Sequence, residues 1–383
     1  MLGQPATQPR AERRTGRRRI ALFLPDLPVG GVERVFANLA GGLRGHDAEV
    51  ELVVGDASGP ARALFPDAMP VADLHVSRSL RAVPGLVRHL RRSRPDALIS
   101  AKDHTNVVAV AAAALSRTHV PVIVTVHAPL SEAWRAPERR TGRAVPALAL
   151  RAYRRAAAVV AVSEGIAAEL RRQPRLRNAR VEVVPNPVVD EQLLGARGQV
   201  PDHPWFRERT LPVVVAVGRL EAQKDFSTLL HAIARLRARR PVRTVVVGDG
   251  SERGTLEALA RDLGLDADVA FTGARDDATS FLAASDVVVL SSRYEGMPTV
   301  LVEALALGCR VVATDCPTGP RELLADGAYG RLVPVGDAAA LADAVDGALA
   351  DPRPALPPGH LAPFTPAVAA GRYLAIVDAV RRR

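Results

Sequence analysis

Residues 285–303 read SDVVVLSSRYEGMPTVLVE, in which a β-branched apolar run leads through a polar loop into a second apolar run. The first run, 285–290, has the composition of a buried strand, and Pro298 suits the first turn of a helix at about 297–307. A strand that leads through a short loop into a helix is the repeating unit of a parallel sheet. This stretch therefore predicts a doubly wound α/β fold.

The same alternation of strand and helix continues on both sides of this stretch. The further predicted strands are 19–25, 48–54, 95–100, 120–126, 157–162, 180–184, 211–217, 242–248, 268–272, 309–314 and 330–334. The further predicted helices are about 32–44, 104–116, 163–172, 225–239, 252–263, 337–350 and 367–381. Two sets of six strands in 383 residues predict two Rossmann-like domains.

The domain boundaries follow from composition. A linker rich in Pro, Gly and polar residues at 186–210 separates the two sets of strands, and a proline-rich segment precedes the last helix. The predicted organisation is a basic flexible N-terminus at 1–18, an N-terminal domain at 19–190, a C-terminal domain at 191–365 and a final helix at 366–383 that packs back on the N-terminal domain.

Composition excludes several classes of protein. Aromatic residues make up only 4% of the chain, which argues against a nucleic-acid binder that stacks bases on aromatic rings. The two cysteines, Cys309 and Cys316, cannot form a disulfide framework. No apolar run approaches the ~20 residues of a membrane-spanning helix, and the arginine-rich start is not a secretory signal. We therefore expect a cytoplasmic protein without a nucleic-acid partner.

The net charge of +10 is unevenly distributed along the chain. Residues 1–200 hold 30 basic and 18 acidic side chains, and the remainder holds 21 and 23. This asymmetry is compatible with an anionic membrane surface, with an anionic acceptor or with a solvated basic surface. The arginines that are the best candidates for a membrane contact are Arg135, Arg139, Arg140, Arg143, Arg151, Arg154 and Arg155.

Two strand-to-helix junctions carry residues suited to phosphate binding. Gly30 and Gly31 follow the first strand, where glycine lets the backbone approach a phosphate at a helix start, although many such turns use glycine only to change direction. Arg219 and Lys224 follow strand 211–217. Only Lys102 and Lys224 among the 51 basic residues are lysine, so a lysine at this junction indicates a need for its compact charge.

Two other patterns are rejected as cofactor or metal sites. The run Gly248-Asp249-Gly250 lacks the acidic residue, at the end of a following strand, that a dinucleotide-binding fold needs for the ribose. The pair Asp266 and Asp268 precedes a strand, whereas ligands of doubly wound sheets bind after strands. The sequence therefore predicts no metal and no cofactor.

The loop and helix of residues 291–303 hold a pair of glutamates eight residues apart. Glu295 lies in the loop ahead of the helix, and Glu303 lies about two turns into it. A carboxylate in an otherwise apolar helix start is costly unless it binds something such as sugar hydroxyls. For an isolated glutamate, a position facing the solvent would be the simpler interpretation.

Together, the glutamate pair, the Gly218-Arg219-Leu220 and Gln223-Lys224-Asp225-Phe226 runs and the Gly30-Gly31 loop resemble glycosyltransferase family 4, whose members have the two-domain GT-B fold. The resemblance spans residues 20 to about 335. The stretch Thr314 to Glu322 also resembles members that extend cell-surface glycans. The resemblance implies an N-terminal acceptor domain and a C-terminal donor domain.

The resemblance also implies a role for each motif residue. Arg219 and Lys224 are expected to bind the diphosphate of the donor, Glu303 its ribose and Glu295 its sugar. Gly30 and Gly31 approach the diphosphate from the other domain, and His127 matches the active-site histidine beside the transferred sugar. The backbone near the sugar hydroxyls and the phosphate is that of Gly296, Met297, Pro298 and Thr299.

The expected activity is a metal-independent, retaining transfer of a hexose or N-acetylhexosamine from a nucleotide-diphosphate sugar to a glycan or lipid-linked acceptor. A UDP-sugar is favoured over GDP-mannose as the donor. Two alternatives stay open, a non-catalytic sugar-nucleotide-binding subunit and a nucleotide-sugar epimerase. A phosphorylase would need a lysine for pyridoxal phosphate, for which only Lys102 and Lys224 are available.

Overall fold

The computed structural model describes residues 17–28, 30–76, 79–135, 144–353 and 355–382. The N-terminal sheet consists of β1 (Arg19–Leu24), β2 (Glu49–Val54), β3 (Val71–Asp73), β4 (Ala97–Ala101), β5 (Val122–Val126), β6 (Ala158–Ala161) and β7 (Val181–Val183). The C-terminal sheet consists of β8 (Val213–Val217), β9 (Arg243–Val247), β10 (Val269–Gly273), β11 (Val287–Leu290), β12 (Arg310–Thr314) and β13 (Arg331–Val333).

Every strand pair in the two sheets is parallel. The strand orders are β3-β2-β1-β4-β5-β6-β7 and β10-β9-β8-β11-β12-β13, so the order reverses between β1 and β4 and again between β8 and β11. The central strands are buried along most of their length, which explains their continuous apolar runs. The predicted two-domain doubly wound fold is confirmed. Ligand crevices of such sheets lie at the carboxyl ends of the strands where the order reverses.

The helices connect the strands and follow the N-terminal and then the C-terminal sheet. The first six are α1 (Gly31–Gly45), α2 (Ala82–Ser93), α3 (Asp103–Ser116), α4 (Leu130–Arg135), α5 (Ala144–Tyr153) and α6 (Glu164–Arg172). The others are α7 (Glu191–Gly195), α8 (Pro204–Arg207), α9 (Phe226–Arg237), α10 (Arg253–Asp262), α11 (Ala278–Ala284), α12 (Thr299–Ala306), α13 (Pro320–Leu323), α14 (Ala338–Ala350) and α15 (Pro366–Arg381).

Several elements were absent from the sequence prediction. The edge strand β3 has only three residues, too few for a periodic pattern. Helix α2 contains Pro84 and Gly85, which suggest a turn, but Pro84 lies in the first turn, where proline is tolerated. The remaining omissions are α4, α5, α11 and α13, together with α7 and α8 inside the predicted linker.

The last helix, α15, packs against α1 of the N-terminal domain. Arg18 donates hydrogen bonds to both carboxylate oxygens of Asp378, at 2.8 and 2.7 Å, and Arg381 pairs with Asp96 at 3.0 Å. The chain thus crosses between the domains twice. The two crossings are joined, because the N–H groups of Val188 and Val189 both donate to the carbonyl of Phe364. Residues 1–16 of the expected flexible N-terminus lie outside the described residues.

Candidate active site

A cleft of about 420 Å³ lies between the carboxyl ends of the two sheets. Its lining contains every residue that the sequence suggested for the site except Pro298. Gly30, Gly31 and His127 line it from the N-terminal domain, while the remaining predicted residues line it from the C-terminal domain. The volume falls within the ordinary range of small-molecule sites.

The centre of the cleft holds a buried ion pair. Lys224 ends a short 3₁₀ turn after β8, and its Nζ lies 2.6 Å from Oε1 of Glu295 in the loop after β11. The Ser292 hydroxyl donates to the same carboxylate oxygen at 2.6 Å. The Lys224 and Glu295 side chains are only 17% and 7% exposed, so each charge depends on the other for compensation.

The two loops that carry this pair are tied together by their backbones. The Ser291 hydroxyl donates to the carbonyl of Lys224 at 2.8 Å, and the N–H of Arg293 donates to the carbonyl of Gln223 at 2.8 Å. Arg219 lies on the same rim of the cleft, and within the described ranges its guanidinium forms no ion pair. The arrangement presents one paired and one uncommitted cation to a ligand.

Glu303 lies on α12 and is bridged across the cleft to the other domain. Its Oε1 is 3.3 Å from Nη1 of Arg34 on α1. Burial raises the pKa of Glu303 above its usual value, although the Arg34 charge opposes this shift. Because α12 begins at Thr299, Glu303 lies one turn into the helix and not two as the sequence suggested. Pro298 precedes the helix and has no N–H to offer a ligand.

The backbone at Gly296 meets the N-terminal domain directly. The carbonyl of His127 is so close to the Gly296 Cα that a Cβ at this position would have no room. The hydroxyl of Thr318 fixes the loop by donating to the carbonyls of Glu295 and Gly296, at 3.0 Å each. A larger residue at position 296 would therefore push the two domains apart.

The His127 ring follows β5 and faces the cleft. Its Nε2 lies 2.9 Å from the Thr125 hydroxyl, and its ring is tilted against Phe36 at a centroid distance of 6.5 Å. Burial, with a smaller contribution from the Lys102 ammonium, lowers the pKa of His127 from 6.5 to about 4. The imidazole is therefore neutral at physiological pH.

Gly30 and Gly31 form the start of α1 at the cleft. Gly30 is the N-cap, and no side chain caps the helix, so the first N–H groups are available to an anion. Gly31 lies near Thr299, since a Cβ added there would be 3.9 Å from the Thr299 hydroxyl. The glycine pair thus lies opposite the start of α12, where the two domains approach each other.

Two family models match the chain, one on each domain. The model described as Glycosyltransferase Family 4 matches residues 29–192, and the model described as Glycosyl transferases group 1 matches residues 211–351. The chain belongs to glycosyltransferase family 4. Together the two models cover most of the chain, and the order of the motifs in the cleft follows the order that the resemblance implied.

Curated relatives of this family-4 chain align over part of their length. The chain is 43% identical over 140 residues to the lipopolysaccharide core biosynthesis glycosyltransferase LpsE of Rhizobium meliloti, which covers 37% of this chain and 40% of the relative. It is 35% identical over 122 residues to N-acetylgalactosamine-N,N'-diacetylbacillosaminyl-diphospho-undecaprenol 4-alpha-N-acetylgalactosaminyltransferase of Campylobacter jejuni, which covers 32% of this chain and 33% of the relative. The chain thus aligns with less than half the length of these two relatives.

Solved structures share the fold over nearly the whole chain. The crystal structure of Anabaena Alr3699/HepE in complex with UDP-glucose superposes with a TM-score of 0.70 at 21% identity, covering 95% of this chain and 97% of the other. This family-4 chain therefore has the GT-B fold. At this identity the likeness concerns the fold alone.

The family-4 cleft also contains charged residues that the sequence interpretation did not assign to it. Lys102, at the end of β4, pairs with the buried Glu33 at 2.6 Å and with Asp26 at 3.6 Å. Lys102 has a φ of +70°, an unusual backbone conformation for a residue other than glycine. Its status as one of two lysines was the available signal. Arg34 could have been found from its spacing after Gly31.

The patterns rejected from the sequence are also located away from ligand positions. Asp268 lies at the amino-terminal end of β10, where it pairs with Arg237 at 2.7 Å and Arg243 at 3.0 Å. Gly248 has a φ of +143° and packs so closely on the carbonyl of Gly218 that no Cβ would fit. Across the described ranges, no three His, Cys, Asp or Glu side chains are grouped as a metal site would require.

The arginine-rich region of this family-4 chain is described only in part. Arg151, Arg154 and Arg155 lie exposed at the end of α5. The other candidates for membrane contact, Arg139, Arg140 and Arg143 together with the Arg135 side chain, lie outside the described residues. In the part of the chain that the structure describes, no helix is both long and apolar enough to span a bilayer.

Proposed function

We propose that this chain is a retaining, metal-independent glycosyltransferase that moves a hexose or N-acetylhexosamine from a nucleotide-diphosphate sugar to a glycan or lipid-linked acceptor. The observation that carries the proposal is the buried Lys224–Glu295 pair, which faces His127 and the Gly30-Gly31 helix start across one cleft. A cation pair that is already charged and desolvated is suited to a leaving group that gains negative charge.

The proposed donor position follows from the charges in the cleft. The diphosphate lies between Arg219, Lys224 and the start of α1, where it is met by two cations and by free N–H groups. As Lys224 turns to the phosphate, Glu295 becomes free to accept hydrogen bonds from the sugar. Glu303 accepts hydrogen bonds from the ribose, and Arg34 is released from it towards the phosphates.

The proposed chemistry is a front-side displacement. The bond between the anomeric carbon and the diphosphate oxygen breaks, and a bond from the acceptor oxygen forms on the same face. The acceptor proton passes to the departing phosphate oxygen. Arg219 and Lys224 stabilise the charge on the leaving group, which is why we propose that no metal ion is required.

The donor base and the site of action are also part of the proposal. UDP-sugars are favoured over GDP-mannose, which the UDP-glucose complex of the Anabaena protein supports. A lipid-linked acceptor is supported by the undecaprenol in the name of the Campylobacter relative. We propose that the enzyme acts in the cytoplasm at the inner face of the membrane, with the exposed Arg151, Arg154 and Arg155 near anionic lipid.

A thermal-shift screen with UDP, GDP, ADP and their sugars tests the donor site. A ligand at 100 times its Kd stabilises the folded protein by about 2.7 kcal/mol, so UDP and its sugars should raise Tm. Addition of EDTA should leave both the shift and turnover unchanged. A folded protein whose Tm responds to none of these nucleotides would contradict the proposed function.

A further inference from the structure

The Thr125 hydroxyl has two hydrogen-bond neighbours but only one proton. Thr125 lies two residues before His127 on β5, so both side chains emerge on the same face of the sheet. Its Oγ1 is 2.9 Å from the carbonyl oxygen of Ser100 and 2.9 Å from Nε2 of His127. Thr125 is completely buried, so no solvent can supply a further donor.

The proton balance determines which ring nitrogen of His127 is protonated. The Ser100 carbonyl has no proton, so at this distance the Thr125 hydroxyl must donate to it. The contact between Oγ1 and Nε2 then needs its own proton, which only Nε2–H of His127 can provide. With Nε2 unprotonated, two lone pairs would face each other in a buried position.

A buried polar network prevents the Thr125 hydroxyl from turning away. The Asn106 side-chain amide donates to the carbonyl of Thr125 at 2.9 Å, and its oxygen accepts from the Ser100 hydroxyl at 2.7 Å. Asn106 and Ser100 are both fully buried. The network therefore fixes the backbone on either side of the hydroxyl, and with it the acceptor at Ser100.

The opposite ring nitrogen is left as an acceptor. Within the described ranges, no group forms a hydrogen bond to Nδ1 of His127, and the residue lines the cleft. Because burial and the nearby Lys102 ammonium keep the ring neutral, Nδ1 holds a lone pair and not a proton. A neighbouring hydroxyl group could donate a hydrogen bond to it.

We propose that Thr125 is a positioning residue that holds His127 in the Nε2–H tautomer, so that Nδ1 accepts a hydrogen bond from a hydroxyl of the transferred sugar. The identity of the sugar as the donor of this bond rests on the proposed function. The tautomer itself is a property of the ligand-free protein. In this role His127 orients the sugar and transfers no proton.

The test uses the full chain labelled with ¹⁵N in histidine. Long-range proton–nitrogen correlation spectra distinguish the two neutral tautomers, and a His127→Gln variant identifies the His127 signals. Thr125→Val removes the hydroxyl at nearly constant shape, while Thr125→Ser retains it. Thr105→Val is the matched control, because Thr105 is also a buried threonine and its hydroxyl has no hydrogen-bond partner. Thermal unfolding verifies that each variant is folded.

The wild type, Thr125→Ser and Thr105→Val should all show the Nε2–H pattern. Thr125→Val should shift His127 towards the Nδ1–H tautomer and lower kcat/KM for the sugar donor by about three- to tenfold, the effect of one lost hydrogen bond. Its Kd for the bare nucleoside diphosphate should stay unchanged, since that ligand has no sugar.

Two results would overturn the inference, an Nδ1–H pattern in the wild type or an unchanged pattern in Thr125→Val. If Thr125→Val does not fold, the wild-type and Thr125→Ser spectra still decide the tautomer. A wild type that has the Nε2–H tautomer but consumes no nucleotide sugar would contradict the proposed function and leave the tautomer standing. An active wild type with Nδ1–H would do the reverse.

Discussion

Removing the charge of Lys224 should lower both turnover and stability, and the structure separates the two effects. Breaking a buried ion pair by deleting one partner costs about 3–5 kcal/mol. The Ser292 hydroxyl, 2.6 Å from Glu295, still satisfies part of the orphaned carboxylate, so we expect about 2–4 kcal/mol for Lys224→Met. In a domain of this size each kcal/mol lowers Tm by about 2–4 °C.

The double variant Lys224→Met/Glu295→Gln should recover most of that stability, because no unpaired charge is left in the interior. Turnover should not recover. Loss of a cation that stabilises a leaving diphosphate removes a few kcal/mol of transition-state stabilisation, so kcat/KM should fall at least tenfold in both variants. The assays are calorimetric unfolding and release of nucleoside diphosphate.

Arg239→Met is the control, since Arg239 forms an exposed pair with Asp343 on the outer surface. It should change Tm and turnover very little, as is typical of exposed ion pairs. The reasoning is refuted if the folded double variant turns over at the wild-type rate. It is also refuted if Lys224→Met is as stable as the wild type.

Four further outcomes are expected. Arg219→Ala should lower turnover at least tenfold without changing Tm, because its guanidinium has no ion pair to lose within the described ranges. In calorimetry, Glu303→Ala should weaken binding of bare UDP, whereas Glu295→Ala should impair only the sugar-bearing donor; the reverse order would exchange their roles. The pKa of His127 is lowered to about 4, so its stabilising contribution is present above pH 6.5 and lost as pH falls towards 4. His127→Gln should therefore show a shallower loss of Tm between these pH values, and an unchanged profile would refute this. Anionic vesicles should retain the protein at low salt and release it at high salt through the arginines of 135–155, each worth about 1 kcal/mol at most; equal retention by neutral vesicles would contradict this.

The fold could be predicted from the sequence because parallel strands buried on both faces are continuous apolar runs. Residues 285–290 and 211–217 are examples, and each lies within two residues of an observed strand. Elements that owe their structure to neighbours escaped prediction. The three-residue β3 is stabilised by pairing with β2, and α2 tolerates Pro84 only because of its place in the first turn.

The cleft residues could be located from the sequence because each follows a strand, and strand ends converge in a doubly wound sheet. Their partners could not. The Lys224–Glu295 pair joins residues from different strand ends, and the Arg34–Glu303 pair joins the two domains. Such contacts depend on how the sheets face each other, which no local pattern records. The proton assignment of His127 likewise needs the position of the Ser100 carbonyl.

The most direct test of the central claim is proton NMR of the reaction between the purified protein, a UDP-sugar and a panel of glycan and lipid-linked acceptors. The account predicts that UDP is released, that a new glycosidic linkage appears with the anomeric configuration of the donor, and that Lys224→Met/Glu295→Gln forms it at least tenfold more slowly. An inverted product would contradict the proposed retention. A folded wild type that binds UDP yet consumes no nucleotide sugar would contradict glycosyl transfer in this cleft.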